Sequence, residues 1–480
     1  MKAAWVGFIV IGLATASAAG AQFEPGDRRP PGGGPPPGAF EACERKQQES
    51  ACSFQAPHGM VEGSCRHMRE GMVCVPGDFH RGPAPGGRPP AQGRFQPREG
   101  DSRPPAEPAV IQVRPSGDFV DPGARGVTAV RNRVPDSGQT DCFSNRQRVA
   151  CGDLQQRFKG QDGHYSARQG YRDNGDGTVT DRVTGLRWQQ AHNAQRLTYR
   201  DAAEACSRLE LGGQRAWRLP TITELFSISH WRNQGEGQYY IDRRFFDLEE
   251  PGPEILADDP FRSTHNTAMM GQTWSSTEYS GEILLGSATP HVFFFNFLDG
   301  RIKAAPKRGR SRLFYRCVSG EPWGDNLFQD NRDGSVTDAA LELMWQQADD
   351  GQPRDWSQAL GYCEGLNLAG YSDWRLPNIK ELQTLADYRY SDPAIDPNFF
   401  HQQDRAGWFW SSTTHGENPA MASYICFGPC TSVEGEDVHG AGAQRSDPKT
   451  GNPSRWRARG GQRDETRIFN YARCVRDAEK

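Results

Sequence analysis

Seven basic residues, Arg301, Lys303, Lys307, Arg308, Arg310, Arg312 and Arg316, stand between positions 301 and 317 without one acid among them. An arginine fork donates two hydrogen bonds at once to sulfate or carboxylate oxygens, and clustering raises the local potential that recruits an anionic chain. The chemistry on offer is recognition of a polyanion, with Arg301, Lys303, Lys307, Arg308, Arg310 and Arg312 as candidate ligand residues. Arg316 flanks a cysteine and reads as structural. A second stretch adds Arg455, Arg457 and Arg459, followed by Arg463, Arg467 and Arg473 against Asp464 and Glu465. The formal net charge of −4 conceals both patches. The plain alternative is a solvated loop and strand edge whose charge discourages sheet pairing.

Cysteines are the other reactive group, and there are twelve. Lys2, the apolar run from Val6 to Leu13 and Ala19-Gly20-Ala21 have the order of an export signal, so the cysteines are expected to pair in an oxidising compartment. Cys142 with Cys151, and Cys426 with Cys430 across a Gly-Pro turn, are the simplest local bridges. For Cys43, Cys52, Cys65 and Cys74 all three pairings stay open. An unbridged Cys426 and Cys430 would instead allow thiol chemistry. DNGDGTVTD at Asp173 tempts toward calcium, but Gly175 stands where an EF-hand needs an oxygen, and Arg332 stands there in the later DNRDGSVTD. No HExxH is present among the eleven histidines, and no metal or cofactor is expected.

These residues sit in a frame that occurs twice. Asp173 recurs as Asp330, Trp188 as Trp345, Cys206 as Cys363, Trp217 as Trp374 and Cys317 as Cys474, each 157 residues on. The repeat is of domain size, so each copy is expected to bury its own core. In each, alternating Val and Thr lead from a turn into a strand. Thr198 and Asp355 are candidate caps of an amphipathic helix bearing Cys206 or Cys363, and Thr221 with Glu224, or Asn378 with Glu381, has capping-box spacing for a second helix. WSST returns after only 136 residues, yet Cys317 and Cys474 keep the original spacing. Bridges Cys206–Cys317 and Cys363–Cys474, helix to last strand, explain why both ends stay in register. The framing tryptophans read as core, whereas Trp231, Trp323, Trp408 and Trp456 do not recur and could stack on a ligand if exposed.

GQDGHY, DNGDGTVTD, TGLRWQQ, WRLPTITEL, WSST and RCV, in that order, resemble the bacterial domain named after the C-terminal domain of the Legionella collagen-like adhesin. The resemblance spans about Pro135 to Asp477 as two copies; the second has Ala339-Ala340-Leu341-Glu342 in place of RVTG and gains CFGPC. It implies a variant of the C-type lectin fold with a first-helix cysteine bridged to the last strand. Because the adhesin binds sulfated glycosaminoglycans, it also implies polyanion binding where basic residues are present. WRLPTITEL further resembles formylglycine-generating enzymes, the enzymatic alternative, which would use Cys426 and Cys430.

The expected organisation is a signal peptide (1–21), a Pro/Gly-rich linker (22–40), a four-cysteine unit (41–77), a disordered Pro/Gly/Arg-rich linker (78–134), copy 1 (135–320) and copy 2 (321–480). The fold class is α+β: two C-type-lectin-like domains in tandem, each with two helices and a mostly antiparallel, disulfide-stapled sheet. Mean hydropathy is −0.77 and no apolar run after the signal is long enough to span a bilayer. The expected function is that of an exported, non-catalytic binding or adhesion protein, periplasmic, surface-located or secreted. Its expected partner is an anionic glycan or other polyanion; a structural component that contacts envelope proteins is a further alternative.

Overall fold

The computed structural model describes residues 42–43, 47, 50–56, 59–68, 71–76, 128–153, 155–193, 195–232, 239–248, 271–416, 418–455 and 462–478, and structural statements concern these alone. The signal, the first linker and most of the second lie outside them. The chain divides into two units, Met1–Ala106 and Glu107–Lys480. In the first, β1 (Ala51–Ala56), β2 (Gly59–Met68) and β3 (Gly71–Pro76) form an antiparallel meander. Its buried centre is cysteine: Cys43 is bridged to Cys65 and Cys52 to Cys74, which selects one of the three open pairings. So few residues cannot build an apolar core, and cross-links take its place.

The second unit opens with a segment, residues 128–167, that lies ahead of the repeated frame although most of it falls in the expected copy 1 (135–320); the repeated strands begin only at Tyr171. Here β4 (Thr128–Ala129) runs parallel with β7 (Tyr165–Ser166), and β5 (Cys142–Phe143) antiparallel with β6 (Arg148–Val149), clipped by Cys142–Cys151. Ordered structure therefore starts before Pro135, with Asn132 and Val134 already buried.

Copy 1 supplies β8 (Tyr171–Asp173), β9 (Thr178–Asp181), β10 (Arg187–Gln189), α1 (Tyr199–Ser207), α2 (Ile222–Ser227), β11 (Gln272–Glu278), β12 (His291–Asn296), β13 (Arg301–Pro306) and β14 (Val318–Ser319). Copy 2 repeats them as β15 (Phe328–Asp330), β16 (Ser335–Asp338), β17 (Leu343–Gln346), α3 (Trp356–Glu364), α4 (Ile379–Thr384), β18 (Trp408–Thr414), β19 (Met421–Cys426), β20 (Gln444–Pro448) and β21 (Val475–Asp477). Each copy has a four-stranded antiparallel sheet, β14-β10-β9-β8 or β15-β16-β17-β21, and a three-stranded one, β11-β12-β13 or β18-β19-β20. Cys206–Cys317 and Cys363–Cys474 tie the first helix to the residue before the last strand.

The repeated motifs hold this frame. Thr198 and Asp355 cap the first helices, and Thr221–Glu224 and Asn378–Glu381 close capping boxes on the second. Glu224 and Glu381, both fully buried, also take the forks of Arg218 and Arg375 from WRLP, at 2.6 to 2.7 Å. Buried Arg316 donates to the carbonyls of Gln189, Gln190 and Asp247, and Arg473 to those of Gln346, Gln347 and His401, so RCV locks onto WQQ. Desolvation pushes these guanidinium groups down, to about 9 and about 10. A buried cation so held is a frame element, because it trades water for carbonyl acceptors. The DNGDG and DNRDG stretches are turns: Asn174 bonds Thr178 and Thr180, Asn331 bonds Ser335 and Thr337, and Asp173 and Asp330 accept from Gly175 N and Arg332 N.

The expectation of two separate cores is not met. One apolar cluster runs through both copies, joining Trp188, Phe226, Phe293 and Phe295 to Trp345, Trp374, Leu382 and Trp410; a smaller one around Cys206, Trp217, Trp274 and Cys317 belongs to copy 1 alone. The copies meet like on like, α2 against α4 and β13 against β20, as the subunits of an isologous dimer would. Lys380 Nζ donates to Ser227 O at 2.7 Å, Tyr279 to Asp437 at 2.9 Å, and Phe293 meets Tyr388 at 5.0 Å.

Candidate functional site

The basic stretch begins in β13, where alternate residues point to opposite faces. Ile302 and Ala304 face the shared core, while the other face carries Ala305, packed in copy 1's own cluster, together with Arg301 and Lys303, which lie near Ser446 and Arg445 of copy 2. Lys303 is buried, donating to Asp299 at 2.7 Å, and burial lowers its pKa. Arg301 is half-buried beside Asp299 and reaches Ser446 of β20 at 3.4 Å. Lys303, and Arg301 with it, are therefore interface residues and leave the set of ligand candidates. Only after Pro306 does the chain leave the interface. Lys307 pairs with Glu278 at 2.5 Å, both side chains partly exposed. Arg308, Arg310 and Arg312 are exposed and, among the described residues, have no ion pair.

Two contacts tie this turn to the start of α1. Leu313 bridges Leu197 antiparallel, and Arg312 lies near enough to Asp201 that its charge, after the Thr198 hydroxyl and Arg200, lowers that carboxyl. Tyr199, the first residue of α1, is half-buried; its ring lies 5.7 Å from Lys307 Nζ and meets Trp274 edge-on.

In copy 2 the corresponding place is closed. Trp356 answers to Tyr199, Lys449 after β20 to Lys307, and Thr414 at the end of β18 to Glu278. Lys449 is fully buried, 3.9 Å from the Trp356 ring centre and 2.7 Å from Thr414 Oγ1, and desolvation drives its pKa well down. The cover is the segment that precedes copy 1. Gln139 brackets the Thr414 backbone, Ser144 O and the Phe143 ring lie over Lys449, Phe158 meets Trp356 at 6.5 Å, and Thr413 donates to Asp162 at 2.5 Å. Burial raises Asp162 to about 7. Arg455 is exposed in this copy, whereas Arg457 and Arg459 lie outside the described residues.

Other candidates lead elsewhere. All twelve cysteines are bridged, Cys426 to Cys430 included. Among the described residues the one group with metal-ligand spacing is Cys43, Cys52 and Cys74, whose sulfurs are spent in disulfides. Trp231 and Trp408 are buried, Trp323 is half-buried, and Trp456 lies outside the described residues. A cavity of about 450 Å³ separates the segment before copy 1 from the loop after α2, lined by Asp136, Gln139, Tyr165, Gln169, His230 and Arg232 among others. Burial holds His230 down at about 4. Sequence reasoning missed the Tyr199–Lys307–Glu278 cluster; the signal was a lysine after Pro306 and after Pro448, with an aromatic residue opening each first helix.

No helix among the described residues is long and apolar enough to cross a membrane. The profile of the Lcl C-terminal domain matches residues 177–319 and again 334–444, more than half of the chain. No curated protein matches it. With the repeated frame of WQQ and WRLP seen in both matched stretches, the chain belongs to the Lcl C-terminal domain family.

Proposed function

We propose that this chain is an exported, non-catalytic adhesion or binding protein that holds anionic glycans through Arg308, Arg310 and Arg312 of copy 1, on a C-type-lectin-like module used twice. The observation that carries the reading is the contrast within one stretch: Arg301, Lys303 and Lys307 have acidic partners, and the next three arginines share a turn with none. Exposed arginines without an ion pair keep their donors for an incoming anion, although part of the field of Arg312 falls on Asp201. The lectin-like part rests on the helix-to-last-strand bridge in each antiparallel module, and export on six disulfides. The bridged Cys426–Cys430 pair leaves formylglycine-type chemistry without a thiolate.

Retention on immobilised heparin tests this. The chain should elute at a salt concentration that drops sharply in the R308A/R310A/R312A variant, since exposed charge contacts are screened within about 10 Å at 0.1 M salt. Retention indifferent to salt and to these changes, or stable co-purification with an envelope protein instead, overturns it.

A further inference from the structure

The two copies present one surface in two states. In copy 2 an aromatic residue, a lysine and the end of the edge strand are roofed by the chain's own segment, from Gln139 to Asp162. In copy 1 the matching Tyr199, Lys307 and Glu278 have no such roof among the described residues; the Lys307 and Glu278 side chains stay 33% and 46% exposed. Lys307 is partly neutralised by Glu278 and Arg312 acts on Asp201 of α1, but the turn that follows Lys307 adds three exposed arginines with no ion pair among the described residues, on the side of α1 where Leu313 bridges Leu197. The open face therefore has a half-exposed aromatic ring at one end and positive charge along the other, complementary to a chain that alternates ring faces with anionic groups.

Resting on the function proposed above, we infer that this open face of copy 1 is the single glycan site of the chain. A sugar ring lies on Tyr199, Lys307 and the three arginines take its sulfate or carboxylate groups, and copy 2 has surrendered the equivalent site to residues 139–162. The tandem repeat is then monovalent. A Tyr ring offers apolar contact area with little rotamer freedom to lose, and the flat apolar side of a pyranose fits it. Arg455 of copy 2 is exposed but has no such floor, since Lys449 and Trp356 are buried beneath the segment.

The experiment is titration calorimetry of the full chain with a heparin-derived octasaccharide at two salt concentrations, with poly-glutamate as competitor. The expected result is one octasaccharide per chain, weakened about tenfold by Tyr199→Ala and by Lys307→Ala, about 1.4 kcal/mol each. Affinity is kept in Arg455→Ala. Lys307→Ala, at a partly exposed side chain, decides the matter should Tyr199→Ala fail to fold. Two octasaccharides per chain, or loss of binding in R308A/R310A/R312A with no effect at Tyr199 and Lys307, overturns the single-site inference and leaves the glycan reading standing. Equal displacement by poly-glutamate replaces the glycan with an acidic polypeptide and overturns both. Absence of salt-sensitive binding also overturns both.

Discussion

Copy 1 and copy 2 share a frame down to the hydrogen bonds of their buried arginines, yet one first helix is half-exposed and the other lies under a cover. Tyr199 and Trp356 open equivalent helices; the first is half-buried and the second is sealed. Arg218, with its side chain 34% exposed, and Arg375, at 5%, hold equivalent glutamates. The difference arises outside the repeat, in residues 128–167. Asn132 bonds Glu381 and Asp477, and Arg133 reaches Glu342, so this segment completes copy 2 although it lies next to copy 1 in sequence. Duplication supplied two equal modules, and one added segment divided their labour, making one a buried support and leaving the other a face.

The comparison breaks first at the aromatic pair. Trp356→Ala should cost about 3 to 5 kcal/mol in denaturant unfolding, as other large-to-small core changes do, and Tyr199→Ala no more than about half of that. Equal losses would show that the cover contributes nothing. Next come the forks: Arg375→Ala leaves Glu381 buried without its cation and should cost about 3 kcal/mol, whereas Arg218→Ala, at a position water can reach, should cost less. A larger loss from Arg218 reverses the ranking of the copies.

The cover itself should respond to pH. Asp162 has its folded pKa raised to about 7 from 3.8, mainly by burial, so its protonated form favours the fold. That contribution is complete below about pH 4 and is lost as pH rises toward 7. His230 and His439, held down at about 4 from 6.5 by burial, act in the opposite sense and lose their contribution as pH falls from 6.5 toward 4. The measurement is therefore a difference: the melting temperature of Asp162→Asn relative to the native chain should climb by several degrees between pH 4 and 7.5. A flat difference would mean that Asp162 is not desolvated by the segment. The smallest effect belongs to the exposed turn, where R308A/R310A/R312A should change stability by less than about 0.5 kcal/mol per residue while changing heparin elution.

Much of this was legible because it is local or periodic. The caps at Thr198, Thr221, Asp355 and Asn378, the bridge between Cys426 and Cys430, and the 157-residue register that pairs Cys206 with Cys317 all leave marks in the chain itself. The ties from Arg218 to Glu224 and from Arg375 to Glu381 were not read, because capping already accounted for both glutamates. Neither were the contacts of β13. Its alternation marks two faces, but the approach of β20, about 140 residues away, and the packing of Phe294 and Ala305 in copy 1's own cluster bury the face bearing Lys303. The segment at 128–167 gave less still, because its partners in copy 2 lie hundreds of residues downstream and no periodicity connects them. Charge density does not report burial or pairing: of Arg301, Lys303, Lys307, Arg308, Arg310 and Arg312, the structure leaves three exposed and without an ion pair among the described residues.

The long disulfides also govern what happens when the chain is pulled. Cys206–Cys317 and Cys363–Cys474 each enclose a loop with a sequence separation of 111 residues, so tension applied at the ends bypasses everything inside. At about 3.4 Å per extended residue, each staple withholds on the order of 370 Å of contour from stretching. Glu278, Lys307, Arg308, Arg310 and Arg312 lie within the first of these shielded loops, with Tyr199 just ahead of it, so under tension the arginine turn would stay folded while the chain outside the staples takes up the load.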